Sequence, residues 1–266
     1  LTAEIHDGGR IAALGICTPG PVDHRSGTLL DPPNMRGLHN TPLRDLLTAR
    51  LGIPVVVEHD AKAAALGEHG YGAGQGEESM AYVVVGTGVG AAFILDGRLY
   101  RGLRNSAGEV GGMTLDRDAE ERPTLCGANI RGCAQGYMSG PAISFHYERL
   151  ARAAGRPEVQ SIEASEVARR AAEGDALAQD VMHEAGSALG IMIASMAQVL
   201  DIELYIVGGS VVKSEELLLA PARATVGDYT FDSIGAHIRI VPAALGEIAP
   251  ILGCGGLARE TLGSLS

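Results

Sequence analysis

The stretch Ile53-Pro54-Val55-Val56-Val57-Glu58-His59-Asp60-Ala61-Lys62-Ala63-Ala64-Ala65-Leu66-Gly67-Glu68 changes character at its middle. Ile53 to Glu58 is a β-branched run that reads as a strand, and Ala61 to Glu68 is an alanine-rich helix. His59 and Asp60 fall at the junction, so a carboxylate stands where a strand ends and a helix begins. Open α/β sheets present catalytic groups at that position. Two roles are open to Asp60 on its residues alone. It caps the helix by accepting backbone N–H bonds, or it takes the proton from a substrate hydroxyl that attacks a phosphoryl group.

Upstream, Ile11 to Cys17 is a short apolar run delivered into the rigid loop Thr18-Pro19-Gly20-Pro21, again a buried strand with room for a ligand at its end. A Pro-rich loop, Asp31-Pro32-Pro33-Asn34, precedes helical spacing over Pro42 to Leu51. Downstream, strands at Met80 to Val85 and Ala91 to Leu95 are joined by Gly86-Thr87-Gly88-Val89-Gly90, and Asp96-Gly97 marks a tight turn before Arg98 to Tyr100. The glycine stretch has no Lys of the P-loop kind and does not open a helix, so it matches neither common nucleotide fingerprint. Either its backbone N–H groups and the Thr87 hydroxyl approach a phosphate, or it is an ordinary glycine bulge.

A loop-rich region from Ser106 to Gly136 follows, then helices over Gly140 to Ala154, Glu163 to Glu173 and Ala176 to Leu200. A strand from Glu203 to Val207 runs into Gly208-Gly209-Ser210, where the glycines either accept the flat face of a nucleotide or start a helix. A helix from Ser214, a strand at His237 to Val241 and a closing helix from Ile248 complete the pattern.

Composition narrows the function classes. With 46% hydrophobic and 20% charged residues over 266, the chain builds a proper core, which excludes collagenous, disordered and disulfide-scaffold classes. Its 21 Lys and Arg against 32 Asp and Glu give a net charge of −11, unsuited to a nucleic-acid groove on this chain. Glycine, at 37 residues, is about twice its usual share of roughly 7%, while seven Tyr, three Phe and no Trp make few aromatics. That combination suits tight turns around a small polar ligand.

Cys17, Cys126, Cys133 and Cys254 are too sparse for a disulfide framework, and the first ten residues lack a basic-then-apolar leader pattern. A cytoplasmic location and no membrane span are expected. Cys126 and Cys133 look like half of a zinc site, but nothing between them supplies a third thiolate or imidazole, so two free thiols are expected.

In order along the chain, Gly15-Ile16-Cys17-Thr18-Pro19-Gly20-Pro21-Val22-Asp23, Pro33-Asn34-Met35, Asn40-Thr41-Pro42-Leu43, His59-Asp60 with the alanine run to Glu68, Gly86 to Gly90, Asp96-Gly97, Gly102, Ala107-Gly108-Glu109-Val110-Gly111, Cys126-Gly127, Arg131-Gly132-Cys133 and Val207-Gly208-Gly209 together form one pattern. This pattern resembles the ROK family (repressors, open reading frames and sugar kinases) of the actin, hexokinase and Hsp70 superfamily. The resemblance implies an α/β, two-lobed, actin/hexokinase-like (ribonuclease H-like) ATPase fold that here lacks its first N-terminal strands. Residues 1–100 would form the rest of the N-terminal lobe and the start of the central sheet. Residues 101–266 would form the C-terminal lobe, with a degenerate zinc loop at 106–136.

The same resemblance implies that Asp60 is the catalytic base, in a cleft that also receives the Gly86 loop and Glu109. Asn34, His59, Glu109 and Gln135 would face the sugar. Gly86, Thr87, Gly88 and Gly90 would hold phosphate, and Gly208 and Gly209 the adenosine. ATP and Mg2+ are the implied cofactors, and a sugar or sugar-like molecule the implied substrate. A homodimer is implied as the assembly.

Three departures accompany it. The family opens with an Asp-x-Gly-Gly-Thr phosphate loop, for which His6-Asp7-Gly8-Gly9-Arg10 is a poor substitute, so efficient catalysis is not expected of the chain as written. Gly112 and Ala128 replace two of four zinc ligands, leaving Cys126 and Cys133, so a structural zinc is not expected. His59, Gly112 and Gln135 alter the sugar pocket, which points to an unusual hexose, an amino sugar or a cyclitol. The sequence thus supports an ATP-dependent sugar kinase. Its alternative is the non-catalytic sugar-sensing half of a ROK transcriptional regulator, with a decayed member that only dimerises as a third reading.

Overall fold

The computed structural model describes residues 11–32, 35, 37–119, 130–156 and 159–263. In chain order the strands and helices are β1 (Leu14–Thr18), β2 (Val22–Asp23), β3 (Thr28–Leu29), α1 (Leu43–Leu51), β4 (Val55–His59), α2 (Asp60–Tyr71), β5 (Met80–Val85), β6 (Val89–Leu95) and β7 (Arg98–Tyr100). There follow α3 (Gln135–Met138), α4 (Gly140–Ala153), α5 (Ala164–Ala172), α6 (Ala176–Leu200), β8 (Leu204–Gly208), α7 (Glu215–Val226), α8 (Asp232–Gly235), β9 (Arg239–Pro242) and α9 (Ala249–Gly263). They group into two compact units that are discontinuous in sequence, where the sequence suggested one boundary near residue 100. Unit 1 holds residues 1–77, 92–107 and 245–266, and unit 2 holds 78–91 and 108–244.

In unit 1, β1 and β4 pair in parallel with Cys17 opposite Glu58 and Thr18 opposite His59. Their apolar residues bury Val55 and Val57 with Val22 and Leu29, and Leu14, Ile16, Leu43 and Leu47 pack around that cluster. The β2–β3 hairpin closes on Asp23, whose carboxylate accepts from the Arg25 N–H at 3.0 Å and the Ser26 hydroxyl at 2.8 Å. Those bonds hold the Asp23 carboxyl below its ordinary range. Helix α9 lies backbone to backbone against α2. A Cβ at Gly67 would stand 2.0 Å from the Ala249 carbonyl oxygen, and one at Gly253 would stand 1.8 Å from that of Ala63, so only glycine admits the approach. The α2 residue Glu68 is fully buried and accepts the backbone N–H groups of Ala73 at 2.9 Å and Leu245 at 2.8 Å, tying the start of the C-terminal segment to α2.

In unit 2, β8 pairs in parallel with β5 and with β9. The long helix α6 starts on Asp175, whose side chain accepts from Leu177 N–H at 3.0 Å, and ends at Asp201 in the left-handed conformation. Its small residues serve close packing on α7: a Cβ at Gly186 would stand 2.4 Å from the Leu218 carbonyl oxygen and one at Gly190 2.6 Å from that of Ala222. Among the described residues, no helix is long and apolar enough to cross a membrane.

Candidate active site

In unit 1, the candidate catalytic residues lie at the junction of β4 and α2. Glu58, the penultimate residue of β4, has a side chain only 1% exposed. Its Oε1 accepts the His59 N–H at 2.9 Å and Asn105 Nδ2 at 3.0 Å, and its Oε2 accepts Arg101 Nε at 2.7 Å. Burial alone would raise its pKa; the three donors outweigh burial and hold it below the ordinary glutamate value. Asn105, at a positive φ of 59°, also donates from Nδ2 to the Val22 carbonyl at 3.1 Å, so one amide links the β2 hairpin to the end of β4. Lys62, buried one turn into α2, donates from Nζ to the Asn105 carbonyl at 3.1 Å.

Asp60 is the first residue of α2, and both roles read from the sequence meet in its carboxylate. Oδ1 accepts the Ala61 N–H at 2.6 Å and lies 3.1 Å from His59 Nδ1. The Ala61 N–H also lies 3.3 Å from His59 Nδ1, but the carboxylate contact is much shorter and takes the hydrogen. That leaves His59 Nδ1 to donate to the same Oδ1, and Oδ2 carries no hydrogen bond from the described residues. The Asp60 side chain is 49% exposed. His59 is fixed from its other side: a Cβ at Gly20 would stand 2.4 Å from its ring, so the loop after β1 lies directly on the imidazole.

In unit 2, described by itself, the candidate phosphate-binding residues are 86–90. Gly86 N–H donates to the Gly88 carbonyl at 2.9 Å, closing a turn whose tip, Thr87 and Gly88, is exposed. The Gly86 carbonyl accepts the Gly140 N–H, the first of α4, at 2.8 Å. Gly209, at a φ of 107° and with Val85 O 2.3 Å from where a Cβ would stand, lets the chain leave β8 beside that turn. A Ser210–Ser214 3-10 turn then leads into α7. Gly86 has a Cβ position open except for Ser210 Oγ at 3.4 Å. The glycines therefore leave a cradle lined by backbone.

Glu109 sits beside this cradle, because Ala91 N–H donates to the Gly108 carbonyl at 2.7 Å and Gly111 lies on Val89. Its side chain is exposed. Gln135, read from the sequence as a sugar contact, directs Oε1 onto the turn itself, accepting Val89 N–H at 3.2 Å. Asn34 lies outside the described residues.

Among the described residues, the zinc loop brings together no cluster of side chains that could hold a metal ion. Gly112 offers no ligand, and the Ile130 side chain comes within 3.1 Å of where its Cβ would be. Cys133 is disulfide-bonded, which corrects the expectation of a free thiol there; Cys126 and Ala128 lie outside the described residues. A sulfur held in a disulfide is not a thiolate ligand, so no role is derived through zinc.

The chain as a whole is similar in sequence and fold to known proteins. The ROK family model matches residues 2–261. The chain belongs to the ROK family. A glucokinase of Thermotoga maritima is 30% identical over 98% of this chain and 83% of its own length. The crystal structure of a ROK family glucokinase from Streptomyces griseus, in complex with glucose and AMPPNP, superposes with a TM-score of 0.81 at 33% identity, covering 95% of this chain and 83% of that one. A putative xylose repressor of Caldicellulosiruptor is 29% identical over 92% of this chain, which spans 61% of the repressor. The family therefore contains both kinases and regulators near this sequence, on the same actin/hexokinase-like α/β fold.

The strand-to-helix junction at His59 and Asp60 stands where the sequence reading put it, while the strand after the glycine turn begins at Val89 rather than Ala91. Sequence reading passed over Glu58, Lys62 and Asn105. A charged residue at the last position of a buried strand, and a lysine within an alanine run, were the available signals.

Proposed function

We propose that this ROK protein is an ATP-dependent sugar kinase that uses Asp60 as its catalytic base. The observation that carries this reading is the asymmetry of the Asp60 carboxylate, with Oδ1 fixed by Ala61 and His59 and Oδ2 without a partner among the described residues. A fixed carboxylate with one open oxygen is suited to receive the proton of a sugar hydroxyl as that oxygen attacks phosphorus. Glu109 binds a sugar hydroxyl as acceptor, and Asn34 and His59 complete the polar contacts; Gln135 contributes by holding the turn. The N–H groups and hydroxyl of residues 86–90 receive the phosphates of ATP, and Gly208-Gly209 the adenosine. Mg2+ bound to ATP supplies charge neutralisation across the transferring phosphates. The reading requires the sugar at Asp60 and the nucleotide at the glycine turn to meet in the working enzyme. A homodimer in the cytoplasm is part of the same proposal.

Glucose is the first sugar to test because the glucokinase relatives act on it by name, and the imidazole of His59 makes amino sugars and cyclitols the next. The second reading, a sugar-sensing regulator half, is favoured by the xylose repressor relative. Thermal stabilisation against hexoses, amino sugars and cyclitols, each with and without MgATP, separates the two. A shift with sugar that grows with MgATP, accompanied by ADP release, supports the kinase. A shift with sugar alone and no ADP release overturns it in favour of the sensor.

A further inference from the structure

Two cysteines unused by the proposed chemistry meet beside it. Gly15 and Cys17 lie two residues apart on β1 and so face the same side of the strand. A Cβ at Gly15 would stand 2.0 Å from the carbonyl oxygen of Cys254 and 3.0 Å from its Cα. The backbone of α9 thus crosses β1 at Gly15, which sets the Cys254 side chain beside Cys17, close enough for each thiol to alter the other's titration. Both are free thiols, Cys17 half-buried and Cys254 buried.

We infer that Cys17 and Cys254 are a modification site, a dithiol that hydroperoxides convert reversibly to a disulfide at the edge of the Asp60 site. The two thiols have unequal parts. The hydrogen bond from Cys254 lowers the Cys17 pKa to about 7, against the opposing effects of burial and of the nearby Asp60 charge. Cys254 is pushed the other way by the same hydrogen bond and by burial. The half-buried partner, Cys17, is therefore the nucleophile and the buried Cys254 resolves. The Cys17 thiolate attacks one peroxide oxygen, the O–O bond breaks, and hydroxide leaves to give the sulfenic acid. The Cys254 sulfur then attacks the Cys17 sulfur, the S–O bond breaks, and the thiol proton departs with the leaving oxygen as water. Two thiols lose two electrons, and the peroxide is reduced to two waters.

A disulfide holds its sulfurs at about 2.0 Å, closer than any hydrogen-bonded pair, so bond formation draws β1 and α9 together. Cys17 is paired with Glu58 and Thr18 with His59, so that movement reaches the residues that hold Asp60. This consequence rests on the kinase reading; the disulfide does not.

The test is titration of the whole protein with hydrogen peroxide, followed by alkylation of remaining thiols and peptide mapping by mass spectrometry. The expected result is a linked Cys17–Cys254 peptide pair, lighter by two hydrogens, that disappears with dithiothreitol. In Cys254→Ser the link is absent and Cys17 is captured as sulfenic acid by dimedone; Cys254→Ala serves if the serine variant does not fold. Alkylation of both residues as free thiols, or over-oxidation of Cys17 without any linked peptide, overturns the inference. Loss of turnover on linkage and its return with reductant supports the regulatory consequence, and unchanged turnover in fully linked protein removes it. Absence of phosphoryl transfer in the reduced protein counts against the kinase reading alone, since the peptide map is read independently.

Discussion

Replacing Glu58 by glutamine tests how the end of β4 is held. The carboxylate meets three donors, His59 N–H, Asn105 Nδ2 and Arg101 Nε, and has no other solvent to turn to. A glutamine offers one oxygen and one NH2. The better orientation keeps the oxygen on His59 and Asn105 and turns the NH2 toward Arg101, which then loses its acceptor. A hydrogen bond between charged groups is worth about 1.5–3 kcal/mol. Arg101 is 27% exposed and recovers part of that from water, while the facing donors add to the loss. The net expectation is a destabilisation of about 2 kcal/mol, or a fall in melting temperature of about 4–8 °C for a chain of this size.

Denaturation followed by circular dichroism over a range of pH reads both the size and the sign. Because the folded Glu58 titrates below its ordinary value, its contribution is complete above the ordinary glutamate pKa and is lost as the pH falls through the folded value. The gap between wild type and Glu58→Gln should therefore narrow on acidification. A variant within about 0.5 kcal/mol of wild type at neutral pH, the range of ordinary surface changes, or a gap that widens in acid, would refute the reasoning.

Other substitutions carry opposite expectations for fold and function. Gly253→Ala lies inside a helix, where alanine ordinarily stabilises by roughly 0.5–1 kcal/mol, yet here its Cβ would stand 1.8 Å from the Ala63 carbonyl oxygen, so thermal denaturation should show a clear loss. Gly86→Ala meets only Ser210 Oγ at 3.4 Å, so the melting temperature should hold while the KM for MgATP rises, because the methyl occupies phosphate space. Gln135→Ala removes the acceptor of Val89 N–H and should raise the KM for MgATP more than that for sugar in steady-state kinetics.

Local patterns carried most of the fold. Met80 to Val85 and Ala176 to Leu200 follow their sequence periodicity to the residue, and the strand-to-helix change at Asp60 was visible in four β-branched residues before it and four alanines after it. The β2–β3 hairpin was not, because each strand is two residues long and its turn is set by the Asp23 side chain rather than by an apolar run. The Glu58 cluster was equally hidden. Its partners Arg101 and Asn105 lie more than forty residues away in sequence and are united with Glu58 only by the return of the chain through residues 92–107. The Gln135 contact with Val89 N–H joins residues forty-six positions apart, beyond the reach of any local pattern. The closing helix belongs with α2 through Gly67 and Gly253, a pairing that no local pattern announces.

The most direct test of the central claim is a comparison of wild type with Asp60→Asn, measuring sugar-dependent ADP formation and, in parallel, sugar binding by calorimetry. Asparagine keeps the shape and an oxygen for Ala61 but cannot accept the hydroxyl proton. A general base contributes about 10²–10⁴-fold, so turnover should fall by that order while sugar affinity is retained. Equal turnover in the two proteins would contradict the assignment of Asp60 as the base.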